Sequence, residues 1–468
     1  MNTSLLTRLV IDLHKASLRS HAGVWLIHAL AILSLTVSAT VAFLVAGGTW
    51  MFWQHTQHPE EATAIVREEL DLSNWLVLVL FACAFILPAL FNLITQAAVL
   101  GASGRERRLA TLRLLGLSAR DITRMSVLET GFQALVGIAL GLALSFLSAP
   151  LFTGLSFQQR PIALHEILLP WWGYLAVSAL LLLLALGAAF MGMQRVRVTP
   201  LGVARQEMPA AMKRWRLIIF LIVLALTVLV LNNLDVASQD LNVMLSALAF
   251  LFVLLLCVNL VSPYILQALG KALALLPGTA HLVACRRISS NARVAWKRSS
   301  AIAFFGFLAG YLIISPLVED ELTRVYREDP RINLLFSDIS TGAILTLCFG
   351  FLITSTSVFL TQASEVFETA SLSRALHLMG VRRGFLSRVS LTEIMLPVVV
   401  LGIFYFCCGA GLGNIMLTMS EYANMPARIG YSFCFLLAGW AVTFLAVIAT
   451  EPLRRRVLAA QTQTRKND

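Results

Sequence analysis

Charge is scarce in this chain. Asp, Glu, Lys and Arg make up 13% of its 468 residues, about half the roughly 25% of a soluble globular protein. With 58% of the residues hydrophobic, water cannot be the main solvent, which excludes an ordinary soluble fold. Charge is also missing where an ion-coupled carrier needs it. No carboxylate, Lys or Arg falls near the middle of a long apolar run, and His28, in the first turns of the first run, comes nearest. Such carriers hold a titratable group near the bilayer midplane, and a group that costly marks itself. Asn92, Gln96, Gln133, Asn259 and Asn414 are polar without titrating, and with Thr354, Ser355, Thr356 and Ser357 they read as interhelical hydrogen-bonding groups.

Other chemistry is equally thin. Gly270 and Lys271 are followed by Ala272, and Ile265 stands where a phosphate loop needs its upstream glycine. ATP binding of that kind is excluded, and no catalytic constellation emerges from spacing. Of the seven cysteines, Cys83, Cys257, Cys348, Cys407, Cys408 and Cys434 fall in apolar runs and Cys285 in a basic loop, so an exterior disulfide framework is not expected. His55 and His58, followed by Glu60 and Glu61, read as a solvated acidic loop rather than a metal site, since no second ligand cluster accompanies them. The net charge of +11 lies in short loops flanking apolar runs, where anionic lipid, not nucleic acid, is the expected partner.

What is present is apolar length. Ten runs, at 24–50, 75–99, 130–153, 171–193, 216–232, 242–266, 300–318, 341–361, 394–417 and 429–450, are each long enough to cross a hydrocarbon core about 30 Å thick as a helix. All but six of the 36 Lys and Arg residues fall on one side of this arrangement; the exceptions are Arg67, Arg160, Arg324, Arg327, Arg331 and Arg428. The positive-inside rule then puts both termini in the cytoplasm. The first run starts about twenty residues in, without a cleavage pattern behind it, so it is expected to stay as a span. Before it, Leu5, Leu6, Leu9, Val10 and Leu13 recur at helical spacing opposite Arg8, Asp12, Lys15 and Arg19, as in a helix lying at the headgroup plane.

The chain repeats itself. At one fixed, gapless offset Leu112 meets Leu376, Leu114 meets Leu378, Gly116 meets Gly380, Arg124 meets Arg388, Ser126 meets Ser390, Glu129 meets Glu393 and Val136 meets Val400. Each copy sits between the second and third spans of a four-span block. The fold expected is therefore all-α: a polytopic membrane protein of ten transmembrane helices. A first four-helix repeat with its amphipathic helix occupies 1–200, two connector helices occupy 201–279, and a parallel second repeat with a basic tail occupies 280–468. Pro88, Pro263, Pro316 and Pro397 are expected inside spans, where they permit kinks. The pairs Gly137 and Gly141, Gly306 and Gly310, and Gly409 and Gly413 suit close helix packing within the bundle.

The first copy reads GRERRLATLRLLGLSARDITRMSVLETGFQALVGIALG from Gly104: a basic start, leucines at spacing three, a glycine break, a short basic turn, then Glu129 opening a glycine-spaced span. The second, SEVFETASLSRALHLMGVRRGFLSRVSLTEIMLP, follows the same grammar more loosely. This pattern resembles the permeases of the FtsX and MacB type, the type VII ABC systems, in the longer form that carries both halves in one polypeptide. The resemblance implies a membrane subunit that is not itself an enzyme. It implies ATP and Mg bound on a separate ABC ATPase, two copies of which dock on one permease chain, and a location in the bacterial cytoplasmic membrane.

Carried over position by position, the element receiving the ATPase's movement is Leu112, Leu115, Gly116, Leu117, Ser118, Arg120 and Asp121, repeated as Leu376, Met379, Gly380, Val381, Arg382 and Arg383. Glu129 and Glu393 match the glutamate that opens the following span. Physically, each glycine offers a left-handed helix end and each turn an exposed knob. Arg105, Arg107 and Arg108 meet Thr369, Ser371 and Leu372, so the two docking sites are expected to be unequal. The exterior loops 54–74 and 319–340 leave no room for a large exterior domain. The expected function is ATP-driven export of an apolar or amphipathic substrate, such as a lipid, drug or antimicrobial peptide. The alternative is a transmitter that moves no cargo and passes the ATPase's state to a sensor kinase or an exterior accessory protein.

Overall fold

A backbone in hydrocarbon must satisfy its own hydrogen bonds, which a helix does within one segment. The apolar runs accordingly form helices. The computed structural model describes residues 22–61, 66, 72–103, 119–197, 215–233, 241–369, 372, 375–376, 378–381, 384–417 and 420–454. In chain order the helices are α1 (Ala22–Gln57), α2 (Ser73–Ser103), α3 (Ala119–Ser148), α4 (Leu164–Ile167), α5 (Trp171–Arg197), α6 (Trp215–Asn233) and α7 (Leu241–Leu273). They continue with α8 (Thr279–Ser290), α9 (Ala292–Tyr311), α10 (Glu321–Glu328), α11 (Pro330–Glu368), α12 (Gly384–Met416) and α13 (Met425–Ile448). Among the described residues eight helices, α1, α2, α3, α5, α9, α11, α12 and α13, are long and apolar enough to cross a membrane. The expected fifth and sixth spans coincide with α6, apolar over Trp215–Leu226, and with α7.

The helices pack in two similar groups. In the first, α1 lies against α2 and α3, and α5 against α2 and α3; in the second, α9 lies against α11 and α12, and α13 against α11 and α12. The groups meet along α2 and α11, with α1 touching α11 and α9 touching α2 across the same seam. Helix α7 joins α6 and α8 to α9.

The glycine pairs explain the closest approaches. Gly137 and Gly141 of α3 face Leu35 and Ala39 of α1, where an added Cβ would lie 2.6 Å from the Leu35 Cβ and 2.5 Å from the Ala39 Cβ. In the second group, a Cβ on Gly310 would run into the Phe406 carbonyl oxygen and one on Gly409 into that of Phe307, so α9 and α12 touch backbone to backbone. These pairs serve packing inside the bundle.

Two expectations need correcting. Pro316 is not inside a span. Helix α9 ends at Tyr311, a 3-10 turn covers Leu312–Ile314, and Ser315 is extended, as a residue preceding proline is driven to be. Residues 319–340 are not a loop either. They form α10 and the first turns of α11, which starts at Pro330 because the Asp329 carboxylate accepts from the Arg331 N–H at 2.9 Å and proline suits the first helical position. Pro88, Pro263 and Pro397 do lie inside α2, α7 and α12.

Between α3 and α4, Ser156–Phe157 pairs with Arg160–Pro161 in a hairpin whose turn residues Gln158 and Gln159 have φ of 56° and 59°. Both turn residues adopt the left-handed backbone that two-residue hairpins favour. Phe157 packs with Phe52 of α1, Trp75 of α2 and Leu334 of α11 in one apolar cluster.

Candidate functional site

The element expected from the sequence at 112–121 and again at 376–383 is described in part. Leu112, Leu115, Gly116, Leu117, Ser118, Arg382 and Arg383 lie outside the described residues, and Arg120 and Asp121 fall in the first turn of α3. In the second copy Leu376 is helical and half-buried, Met379 is exposed in the turn, Gly380 has φ 87° and Val381 is half-buried. The Val381 N–H donates to the Leu376 carbonyl at 3.0 Å, the six-to-one bond of a helix terminated by a left-handed residue. Leu378 and Met379 are more than 70% exposed on this turn, which makes it an apolar knob.

Each glutamate faces a basic side chain from the first long helix of its own group. Glu129 of α3 lies 3.8 Å from His28 Nε2 of α1, and Gln133 Nε2 lies 2.7 Å from His28 Nδ1. An amide nitrogen only donates, so Nδ1 accepts and a neutral ring carries its proton on Nε2, towards Glu129. All three side chains are buried. Glu393 of α12 is met by Arg298 of α9 at 3.3 Å and by Arg287 of α8 at 3.4 Å. Both arginines also reach Glu365 of α11, at 3.3 Å and 3.7 Å. Gln362 extends the network by donating to Glu365 at 3.1 Å and accepting from Ser390 at 2.5 Å. Four helices thus meet in a cluster of two cations and two anions beside the second knob.

The seam between the groups is polar at intervals. Gln96 Oε1 of α2 accepts from Ser357 at 2.7 Å and Thr361 at 3.0 Å on α11, and Asn92 donates to the Lys297 carbonyl at 3.1 Å. Asn259 accepts from the Trp296 indole at 2.9 Å. Thr354, Ser355 and Thr356 instead donate to carbonyls of their own helix. Near the start of α2, Asp338 Oδ2 of α11 accepts from the Trp75 indole at 2.7 Å and from the Gln158 N–H at 2.9 Å. One buried carboxylate therefore ties α11 to α2 and to the hairpin.

Sequence reasoning assigned Asp338 to an exterior loop and Arg428 to another. Arg428 is in fact 1% exposed, and all five of its N–H groups are used. Nε and Nη2 grip Asp320 at 2.6 and 2.8 Å, Nη2 also donates to Thr323 at 3.0 Å, and Nη1 donates to the carbonyls of Ile313 at 2.9 Å and Ser315 at 3.1 Å. Burial pushes the Asp320 carboxyl up, but Arg428 and the N–H groups of Thr323 and Asn424 outweigh it and hold the group well below the usual carboxylate range. A lone arginine among exterior carboxylates was the available signal. His55 and His58 do not converge: His55 faces Glu166 at 3.9 Å, and His58 faces Glu60 at 3.3 Å.

Fold and site together define a multi-pass helical membrane protein whose spans pack in two similar groups. Residues 79–201, which hold most of α2, the first copy of the element, α3 and α5, match the family described as FtsX-like permease C-terminal, to which this part of the chain is similar. No curated protein matches the chain.

Proposed function

We propose that this chain is the permease subunit of an ABC transporter, with ten spans in two parallel four-helix repeats, both termini cytoplasmic, and two ATPase copies docked on its cytoplasmic face. The observation that carries the reading is the match of residues 79–201 to the FtsX-like family together with the recurrence of its glycine-ended turn at Gly380. ATP and Mg belong to the ATPase. Its closure on ATP moves the knobs at Gly116 and Gly380. Helices α3 and α12 carry that movement into the bundle, because each begins next to a knob and is fixed to the first helix of its half, Glu129 to His28 and Glu393 to Arg298. The cargo is apolar or amphipathic, is taken from the membrane and is exported.

The test is ATP hydrolysis by the chain reconstituted with its ATPase, comparing the native protein with Gly116→Pro, Arg120→Glu and Gly380→Pro. Loss of permease-stimulated hydrolysis by about tenfold or more, the scale of a lost 1.4 kcal/mol interaction, is expected for each. Unchanged hydrolysis in all three would overturn the assignment. Hydrolysis without cargo movement in vesicles, and dependent on a further protein, would instead favour the transmitter.

A further inference from the structure

Between α7 and α9 the chain makes a rigid elbow with two opposite faces. Helix α7 ends at Leu273, Gly278 turns with φ 138°, and α8 follows. The His281 ring lies 3.0 Å from the Leu273 carbonyl, and the Leu282 N–H donates to Gly278 at 2.8 Å. The inner face of α8 buries Ala284, Cys285 and Ile288, and α8 packs on α7 and α12.

The outer face is different. Leu275 is 88% exposed and Leu282 is 41% exposed. Along the same stretch of chain, from the last turn of α7 to the first turns of α9, Lys271, Arg286, Arg293 and Lys297 are all exposed, and none has a carboxylate at ion-pair distance among the described residues. Their neighbours Arg287 and Arg298 are neutralised by Glu365 and Glu393. Leu282 and Arg286 are one turn apart on one face of α8, so apolar and cationic groups alternate over a short distance. This surface lies where two long apolar helices reach the Lys- and Arg-rich side of the bundle.

We propose that the outer face of this elbow binds anionic lipid of the cytoplasmic leaflet, with Leu275 and Leu282 inserted among the acyl chains and Lys271, Arg286, Arg293 and Lys297 on headgroup phosphates. Four unneutralised cations along a stretch with exposed leucines complement a negatively charged leaflet, and exposed apolar side chains interspersed with long basic ones suit the boundary between headgroup and acyl chain. Because Arg286 faces out and Arg287 faces the Glu393 cluster, lipid held on α8 steadies the helix that closes that cluster.

The test uses the full chain in neutral detergent, without ATPase, so its outcome is separate from that of the transporter assignment. Bound lipid is counted by native mass spectrometry on titration with phosphatidylglycerol or phosphatidylcholine, with glycerol phosphate as the free-anion arm. Phosphatidylglycerol alone should be retained. Retention should weaken about 30-fold in R286Q/R293Q, at roughly fivefold per charge near the surface, weaken in Leu275→Ser, and stay unchanged in R124Q/R388Q. Thermal unfolding in phosphatidylcholine checks that the variants are folded. If R286Q/R293Q does not fold, the native chain still decides, since its phosphatidylglycerol retention must fall steeply with salt. Equal retention by R286Q/R293Q, retention insensitive to salt, or equal binding of glycerol phosphate would overturn the proposal.

Discussion

The two halves hold their matching glutamates differently. Glu129, buried, faces one imidazole that is itself held by the Gln133 amide, whereas Glu393 meets two guanidiniums and shares them with a second carboxylate, at about 15% exposure. The backbone arrangement is alike and the electrostatics are not. A buried contact among three side chains is short-ranged and little affected by salt, while a half-buried four-charge cluster draws in α8 and α11 and is open to screening. The packing does not differ in this way, since the glycines of α1–α3 and of α9–α12 both bring one helix against the backbone of the other. On the electrostatics alone, an equal push on both knobs is expected to move two halves of unequal stiffness.

The largest expected effect lies where α10 and α13 begin, in the second half. Arg428→Met leaves Asp320 buried without its partner, which costs about 3–5 kcal/mol, read as a fall in unfolding temperature in detergent micelles. The same pair sets a pH dependence. The Asp320 carboxyl is held low in the folded chain, so its contribution is complete above the unfolded value of about 3.9 and is lost as pH falls towards the folded one. Stability should thus be insensitive to this group near neutrality and drop in acid, and Arg428→Met should remove that drop.

Next in size are the glycines. Gly310→Ala or Gly409→Ala drives a methyl group into a carbonyl of the facing helix and should cost about 1–3 kcal/mol. Gly137→Ala, whose added Cβ would lie 2.6 Å from the Leu35 Cβ, should cost a similar amount, and Gly411→Ala, with open space around it, little. Gly380→Ala should cost about 1 kcal/mol through its positive φ alone, because nothing crowds that position. Hydrogen exchange across 375–381 is the measurement, with Gly384→Ala as the neutral control.

The smallest effect sharpens the comparison most. A double-mutant cycle of Arg298→Gln and Glu393→Gln should give a coupling of about 0.5–1 kcal/mol, reduced from its buried value by partial exposure. It should shrink towards zero at about 1 M salt, where the screening length is roughly 3 Å. The corresponding cycle of His28→Gln and Glu129→Gln should keep its value.

Much of the architecture was legible in the residues. Apolar runs located α1, α2, α3, α5, α12 and α13 because hydrocarbon length and helix length are the same constraint. The glycine pairs announced close approach. The polar joints were not legible. Asp338 finds Trp75 and Gln158, and Arg428 finds Asp320, each across more than 100 residues of sequence, and no local pattern encodes a partner that distant. Pro316 misled because hydropathy continues past Tyr311 after the backbone has left the helix. His28 was noticed as the ionisable group nearest a span's middle, yet its pairing with Glu129 depends on how α1 and α3 are rotated, which only the packed glycines fix.

The most direct test of the account is the mass of the complex captured from native membranes on a tagged copy of this chain in the presence of a non-hydrolysable ATP analogue. One permease carrying two copies of an ABC ATPase is predicted, reduced to a lower occupancy by Gly380→Pro. Capture of a single ATPase copy, or of none, would contradict the two-site permease.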